Sequence, residues 1–164
     1  MSTQEVAILD AEDVVIVRDI GLCTIKETLA EGSSSRTILY IAVPFLAPDM
    51  PIRVPADALV RKAIALDAAR EVVERIPYLR TLQAANDKAY AELLQASFDT
   101  YDPIEWVRIV KSTYIRKKHG KARSAELPLA EKARTYLHSE LAMALSIPYG
   151  EVEAHIVRSI SEDL

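Results

Sequence analysis

Between Arg108 and Lys121 the chain carries six basic side chains and no acidic one: Arg108, Lys111, Arg116, Lys117, Lys118 and Lys121. Cations gathered over about four helical turns can neutralise phosphate, which positions a protein on nucleic acid without reading its sequence. The same charges at the C-terminal turns of a helix also suit the helix dipole, so a solubilising surface is the simpler alternative. Trp106 lies in this run among Ile104, Val107 and Ile109 and is expected in a core, not as an exposed stacking residue.

Groups that would carry catalysis are sparse. His119, His138 and His155 fall on three separate segments, and none is paired with another ligand at i+3 or i+4 in a metal-binding motif. Cys23, the single cysteine, sits in a strand-like run beside Leu22 and Ile25 and reads as a small buried hydrophobe. One cysteine can supply neither an internal disulfide nor a multi-cysteine zinc site. The four glycines are scattered and make no phosphate loop. Glu12-Asp13 and Glu162-Asp163 are adjacent acids at strand or chain ends, where carboxylates are solvated. The expectation is therefore a protein with no enzymatic activity, metal, cofactor or small-molecule substrate.

With 164 residues, half of them apolar and 27% charged, the chain has the make-up of one globular domain or two small ones. No apolar run approaches the ~18 residues of a membrane span. The opening Met1-Ser2-Thr3-Gln4-Glu5-Val6 lacks the basic patch and apolar stretch of a leader, so a cytoplasmic location is expected. The net charge of −4 is unevenly spread. Residues 1–76 hold 8 Lys/Arg against 12 Asp/Glu, whereas residues 77–164 hold 12 of each. A half that is neutral in sum but locally basic still attracts phosphate, because only charges within about a Debye length of ~8–10 Å act strongly.

The elements that must position these residues differ between the halves. Asp13–Val17, Gly21–Thr28 and Arg36–Phe45 are β-rich, and Glu31–Ser35 supplies a polar hairpin loop between the last two. Pro44, Pro48, Pro51 and Pro55 bracket a further strand over Met50–Val54. Proline gives no N–H to a ladder, so that strand is expected at a sheet edge or with its proline positions facing away. Four or five short strands in under 60 residues predict a small, strongly bent barrel. Beyond Pro55 the period moves toward 3.6: Asp67 is expected to cap a helix running to Ile76, and a second helix covers Gln83 to about Phe98. Asp102-Pro103-Ile104-Glu105 is a capping-box-like start for a helix ending near Gly120. Pro128 opens another helix, and Gly150–Ile160 a last short one. Pro77-Tyr78 marks the expected boundary, giving domains 1–77 and 78–164. The fold class expected is α+β, a strand domain followed by a compact all-α domain.

Over nearly its whole length the chain resembles the CarD/CdnL family of bacterial RNA polymerase-binding transcription regulators. Asp49-Met50-Pro51-Ile52-Arg53-Val54-Pro55 looks like the family's last strand with its Arg-Val-Pro ending. Asp13–Val17 and Gly21–Ile25 resemble its first two strands. Trp106-Val107-Arg108-Ile109-Val110-Lys111 stands where the family has a Val-Val-Arg helix, and Glu131–Arg134 with Ser139–Ala144 resembles its closing helix.

The resemblance implies a Tudor-like five-stranded barrel, of a type shared with the transcription-repair coupling factor, that docks on the RNA polymerase β subunit. It implies a polymerase-contacting set of Lys26, Arg36, Ile52, Arg53 and Val54, with Ile52 and Val54 offering main-chain groups for strand addition. It also implies a helical domain that lies against promoter DNA and helps stabilise the open complex, with Lys88, Lys111, Arg116 and Lys132 at the DNA face and Lys117, Lys118 and Lys121 extending the patch. At the place of the family's wedge tryptophan this chain has Ala84-Ala85-Asn86, and an alanine cannot unstack a base step. Three readings stay open: a nucleoid-associated regulator that contacts DNA, a polymerase-bound protein–protein adaptor that does not, or a small enzyme using His138 or His155, which would need a pocket holding either histidine beside a carboxylate.

Overall fold

The computed structural model describes residues 10–30 and 38–161. Five strands come first: β1 (Val14–Val17), β2 (Gly21–Ala30), β3 (Ile38–Pro44), β4 (Ile52–Pro55) and β5 (Leu59–Lys62). Five helices follow: α1 (Leu66–Arg75), α2 (Asp87–Asp99), α3 (Pro103–Lys118), α4 (Leu127–Leu145) and α5 (Tyr149–Ser161). The order is that of an α+β protein. Among the described residues no helix is long and apolar enough to cross a membrane.

The strands form one antiparallel sheet in the order β4-β3-β2-β1-β5. Alternation decides its core: Val15, Val17, Cys23, Ile25, Tyr40, Ala42 and Val54 point to one face and are buried together. The strict alternation read along β2 breaks after Ile25, because the register shifts between Ile25 and Glu27. Lys26 is the extra residue of that bulge, which turns Glu27 outward to face Ile41 across the ladder. β4 lies at a sheet edge, one of the two arrangements that its bracketing prolines allow. β5 was not legible in the sequence, since Leu59-Val60-Arg61-Lys62 is too short and mixed to display a period of two. The loop Glu31–Ser35 lies outside the described residues.

By contact, residues 1–63 and 64–164 form two compact units. The helix α1 thus goes with the other helices, not with the strands as a boundary after Pro77 would have it. Its Ala69 and Val72 are buried, it packs on α4 and α5, and just before it the Ile64 N–H donates to Glu140 Oε2 at 2.9 Å. Pro77-Tyr78 makes only a 3-10 turn inside this unit. Asp67 does not cap α1, which starts one residue earlier with Ala65 as its cap and no side-chain bond; Asp67 lies in the first turn, where its charge suits the dipole.

The other helix ends follow their local chemistry. Asn86 Oδ1 accepts from the Ala89 N–H and starts α2 later than Gln83, leaving 83–86 outside the helix. Asp102 Oδ1 caps α3 by accepting from the Ile104 N–H, with Pro103 at its first position. The reciprocal bond of a capping box is not made by Glu105, which pairs with Arg108; the Asp102 N–H donates to Thr100 Oγ1 instead. Gly120, at φ +69°, takes the left-handed conformation that closes α3, and the Lys121 N–H turns back to the Arg116 carbonyl. Trp106 is fully buried in a cluster with Phe98, Tyr101 and Tyr136, and its Nε1 donates to the Phe98 carbonyl at 3.1 Å.

Candidate functional site

In the sheet unit the functional candidates collect on β4. It pairs with β3 alone, Ile52 opposite Ala42 and Val54 opposite Tyr40, so one side of its main chain has no sheet partner among the described residues. The side chains alternate: Val54 is buried in the core and Ile52 packs against it, which leaves their main-chain groups, not their side chains, for a partner. Arg53 is exposed, and its guanidinium makes no ion pair or hydrogen bond among the described residues. In the turn before β4, Leu46 and Met50 are 50% and 67% exposed, an apolar pair that sequence periodicity had no means of marking. Lys26 is exposed at the bulge and held by Glu12 at 2.9 Å, a surface pair worth about 0–1 kcal/mol. Arg36 lies outside the described residues.

In the helical unit the structure splits the basic run into two sets. Lys111 does not face solvent: it is 4% exposed, and its Nζ donates to the carbonyls of Ile76, Pro77 and Leu79 at 2.8, 3.1 and 2.9 Å. Three carbonyls at the end of a 3-10 turn need donors, and an ammonium with three protons satisfies them. Arg116 forms a fork with Glu126, Nε to Oε1 at 2.8 Å and Nη2 to Oε2 at 2.9 Å, and lies 4.2 Å over the Tyr90 ring. Burial alone would push the Glu126 carboxyl up. The hydrogen bonds from Arg116 and the Arg123 backbone, with both cations nearby, outweigh that and hold it below the usual range. Lys132 is half-buried, its Nζ over the rings of Phe98 and Tyr136 at 5.2 and 5.9 Å.

The remaining cations face solvent. Lys117 and Lys118 occupy the last turn of α3 and Lys121 follows it. Lys88 is exposed in the first turn of α2, on a different helix. The basic surface is thus a short cluster at the C-terminal end of α3 rather than a stripe along it. Arg108 is drawn inward as well, pairing with Glu105 and donating to the Arg80 carbonyl.

His138 is the titratable group whose setting the sequence did not disclose. It is 1% exposed on α4, its ring edge-on to Tyr149. Burial, helped by the Arg134 charge, pushes its pKa down to about 4, so the imidazole is neutral near pH 7. It borders a cavity of about 590 Å³ among α3, α4 and α5 that also touches Glu131 and Glu153. These carboxylates are held by Arg134, and the imidazole faces the guanidinium, Nη1 to Nδ1 at 3.4 Å. A base oriented by a carboxylate is not the arrangement present. His119 is the exposed cap of α3, and Cys23 is buried with burial pushing its thiol up to about 11, well away from a reactive thiolate.

No protein-family model matches the chain, and no curated protein is significantly similar to it.

Proposed function

We propose that the chain is a transcription regulator of the CarD/CdnL type, working without catalysis in the bacterial cytoplasm at the nucleoid. In this reading residues 10–63 are a Tudor-like barrel that adds the β4 edge to a strand of the RNA polymerase β subunit. The observation that carries the proposal is the β4 edge: a strand with one unpaired side, an unengaged Arg53 and apolar Leu46 and Met50 in the turn before it. The main chain would supply affinity, and Arg53 the charge that selects the partner.

The helical unit would meet promoter DNA through Lys117, Lys118 and Lys121, with Lys88 as an outlying contact. Tethering to polymerase raises the local concentration of these lysines at the promoter, so weak phosphate contacts suffice. They shift promoter melting only if they bind the melted state better than the closed one. A second reading, the protein–protein adaptor, is favoured by the engagement of Lys111 and Arg116 inside the unit.

The test is a titration of the full chain with the N-terminal lobe of the polymerase β subunit. Wild type is expected to bind and Arg53→Glu to lose binding while keeping its melting temperature. A folded wild type that does not bind refutes the docking reading. With docking established, Lys117→Glu/Lys118→Glu separates the two readings: unchanged promoter melting supports the adaptor, and lost melting the DNA contact.

A further inference from the structure

The chain carries three methionines, and their settings differ. Met50 is 67% exposed in the turn that leads into β4, Met143 on α4 is 38% exposed, and Met1 lies outside the described residues. An accessible thioether is a ready target for peroxides, which turn a flexible apolar side chain into a polar one. The competing sulfur, Cys23, is buried and its thiol is pushed up to about 11, so it offers no thiolate. Among the described residues, Met50 is the most open sulfur.

Its place separates this chemistry from folding. Met50 is not one of the side chains packed in the sheet core. The turn around it is held by main-chain bonds: the Met50 N–H donates to the Ala47 carbonyl at 3.0 Å, and the Ala47 N–H to the Pro44 carbonyl at 3.2 Å. An oxygen added to the sulfur therefore leaves the sheet intact and alters the surface two residues before Ile52, where β4 begins. Of the apolar pair beside that edge, Leu46 has no sulfur to oxidise and Met50 has. A docked partner would bury the thioether as apolar surface, whereas the sulfoxide oxygen resists burial unless it meets a donor.

We propose that Met50 is a reversible oxidation site that governs docking at the β4 edge, with peroxide lowering the affinity for the polymerase β subunit. The proposal rests on the docking reading above. In the step, a lone pair on the Met50 sulfur attacks one oxygen of hydrogen peroxide, the O–O bond breaks, an S–O bond forms, and the other oxygen leaves as water after proton transfer. Sulfur gives up two electrons and the peroxide takes them. A methionine sulfoxide reductase returns them and restores the thioether.

The test oxidises the full chain alone with hydrogen peroxide, removes the peroxide with catalase, and titrates the product with untreated polymerase β lobe. Peptide mass mapping is expected to place an added oxygen on Met50, and the affinity to fall about tenfold, the worth of part of one buried methionine side chain. The melting temperature should hold, and reductase treatment should restore binding. Met50→Leu is expected to bind like wild type and to keep its affinity after peroxide, while Met50→Gln binds weakly without any peroxide. The wild-type series of untreated, oxidised and reduced protein needs no variant to fold. Untreated wild type that fails to bind removes the docking reading and this proposal with it. Normal binding by untreated wild type overturns the proposal alone if Met50 escapes oxidation, if its sulfoxide binds as tightly, or if Met50→Leu loses as much affinity to peroxide.

Discussion

Arg53 on β4, set between Ile52 and Val54, and Lys111 on α3, set between Val110 and Ser112, are both basic residues, and the two units treat them in opposite ways. On a strand, Ile52 and Val54 turn inward and the residue between them must turn outward, so Arg53 is delivered to the surface by the period of two. On α3, Trp106, Val107 and Ile109 are all buried along with Lys111, and a helix wrapped by neighbours on several sides has little solvent face to give a cation. Lys111 instead serves three carbonyls of the 76–79 turn. The difference teaches that a basic residue on an edge strand is available to a partner almost by construction. One on a central helix is available only after its internal acceptors have been counted.

The largest effect is expected at Lys111. Lys111→Met removes the ammonium that serves all three carbonyls and leaves only Ile76 with another donor, the Leu79 N–H at 3.4 Å; since charge-assisted hydrogen bonds contribute roughly 1.5–3 kcal/mol each, a loss of about 3 kcal/mol is expected in urea unfolding. An unchanged midpoint together with weaker DNA binding would instead make Lys111 a phosphate contact.

Acid sharpens the same contrast. The folded His138 pKa of about 4 lies below the ordinary 6.5, so between these values the unfolded chain binds a proton that the folded chain does not. Stability conferred by the neutral ring is full above about pH 6.5 and is lost as pH falls toward 4, by roughly 3 kcal/mol. His138→Phe should flatten this part of the stability–pH profile relative to wild type. Equal slopes would mean the ring is protonated in the fold.

Next in size is the Arg116–Glu126 fork. Glu126→Gln weakens it and is expected to cost about 2 kcal/mol near neutral pH. The Glu126 carboxyl is held below its unfolded range, so its contribution is present above that range and disappears as pH falls through the folded value. The stability gap between wild type and Glu126→Gln should therefore close in strong acid; a gap that persists there would locate the effect in packing.

The smallest stability effects belong to the exposed cations. Lys117→Ala/Lys118→Ala should change stability by no more than about 0.5 kcal/mol. If both lysines contact phosphate, the variant should reduce the slope of log affinity for DNA against log salt by about 0.9 per contact. An unchanged slope would favour the adaptor reading.

Much of this arrangement was legible in the residues because local chemistry dictates it. The prolines around Met50–Val54 left an edge strand as one of two arrangements, Asp102-Pro103 marked a helix start, and the apolar neighbours of Trp106 put it in the core. What could not be read depended on distant partners. Lys111 looked like one more member of a basic run, because its acceptors lie more than thirty positions away. The fork joining Arg116 to Glu126 spans a helix end and a 3-10 turn, and no periodicity signals such a pair. The α1 boundary went astray for the same reason: a proline marks a turn but does not say which core the preceding helix joins. His138 offered a faint signal, an arginine four residues before it on one helix, yet its cavity exists only once α3, α4 and α5 meet.

The central claim is that docking resides in Arg53 and the β4 edge, while the lysines at the end of α3 act elsewhere. Measuring the affinity of wild type, Arg53→Glu and Lys117→Glu/Lys118→Glu for the polymerase β lobe in one titration series tests it most directly. Wild-type affinity is expected to survive the lysine reversal and to be lost with Arg53→Glu. Loss on reversing the lysines, with Arg53→Glu still bound, would contradict it.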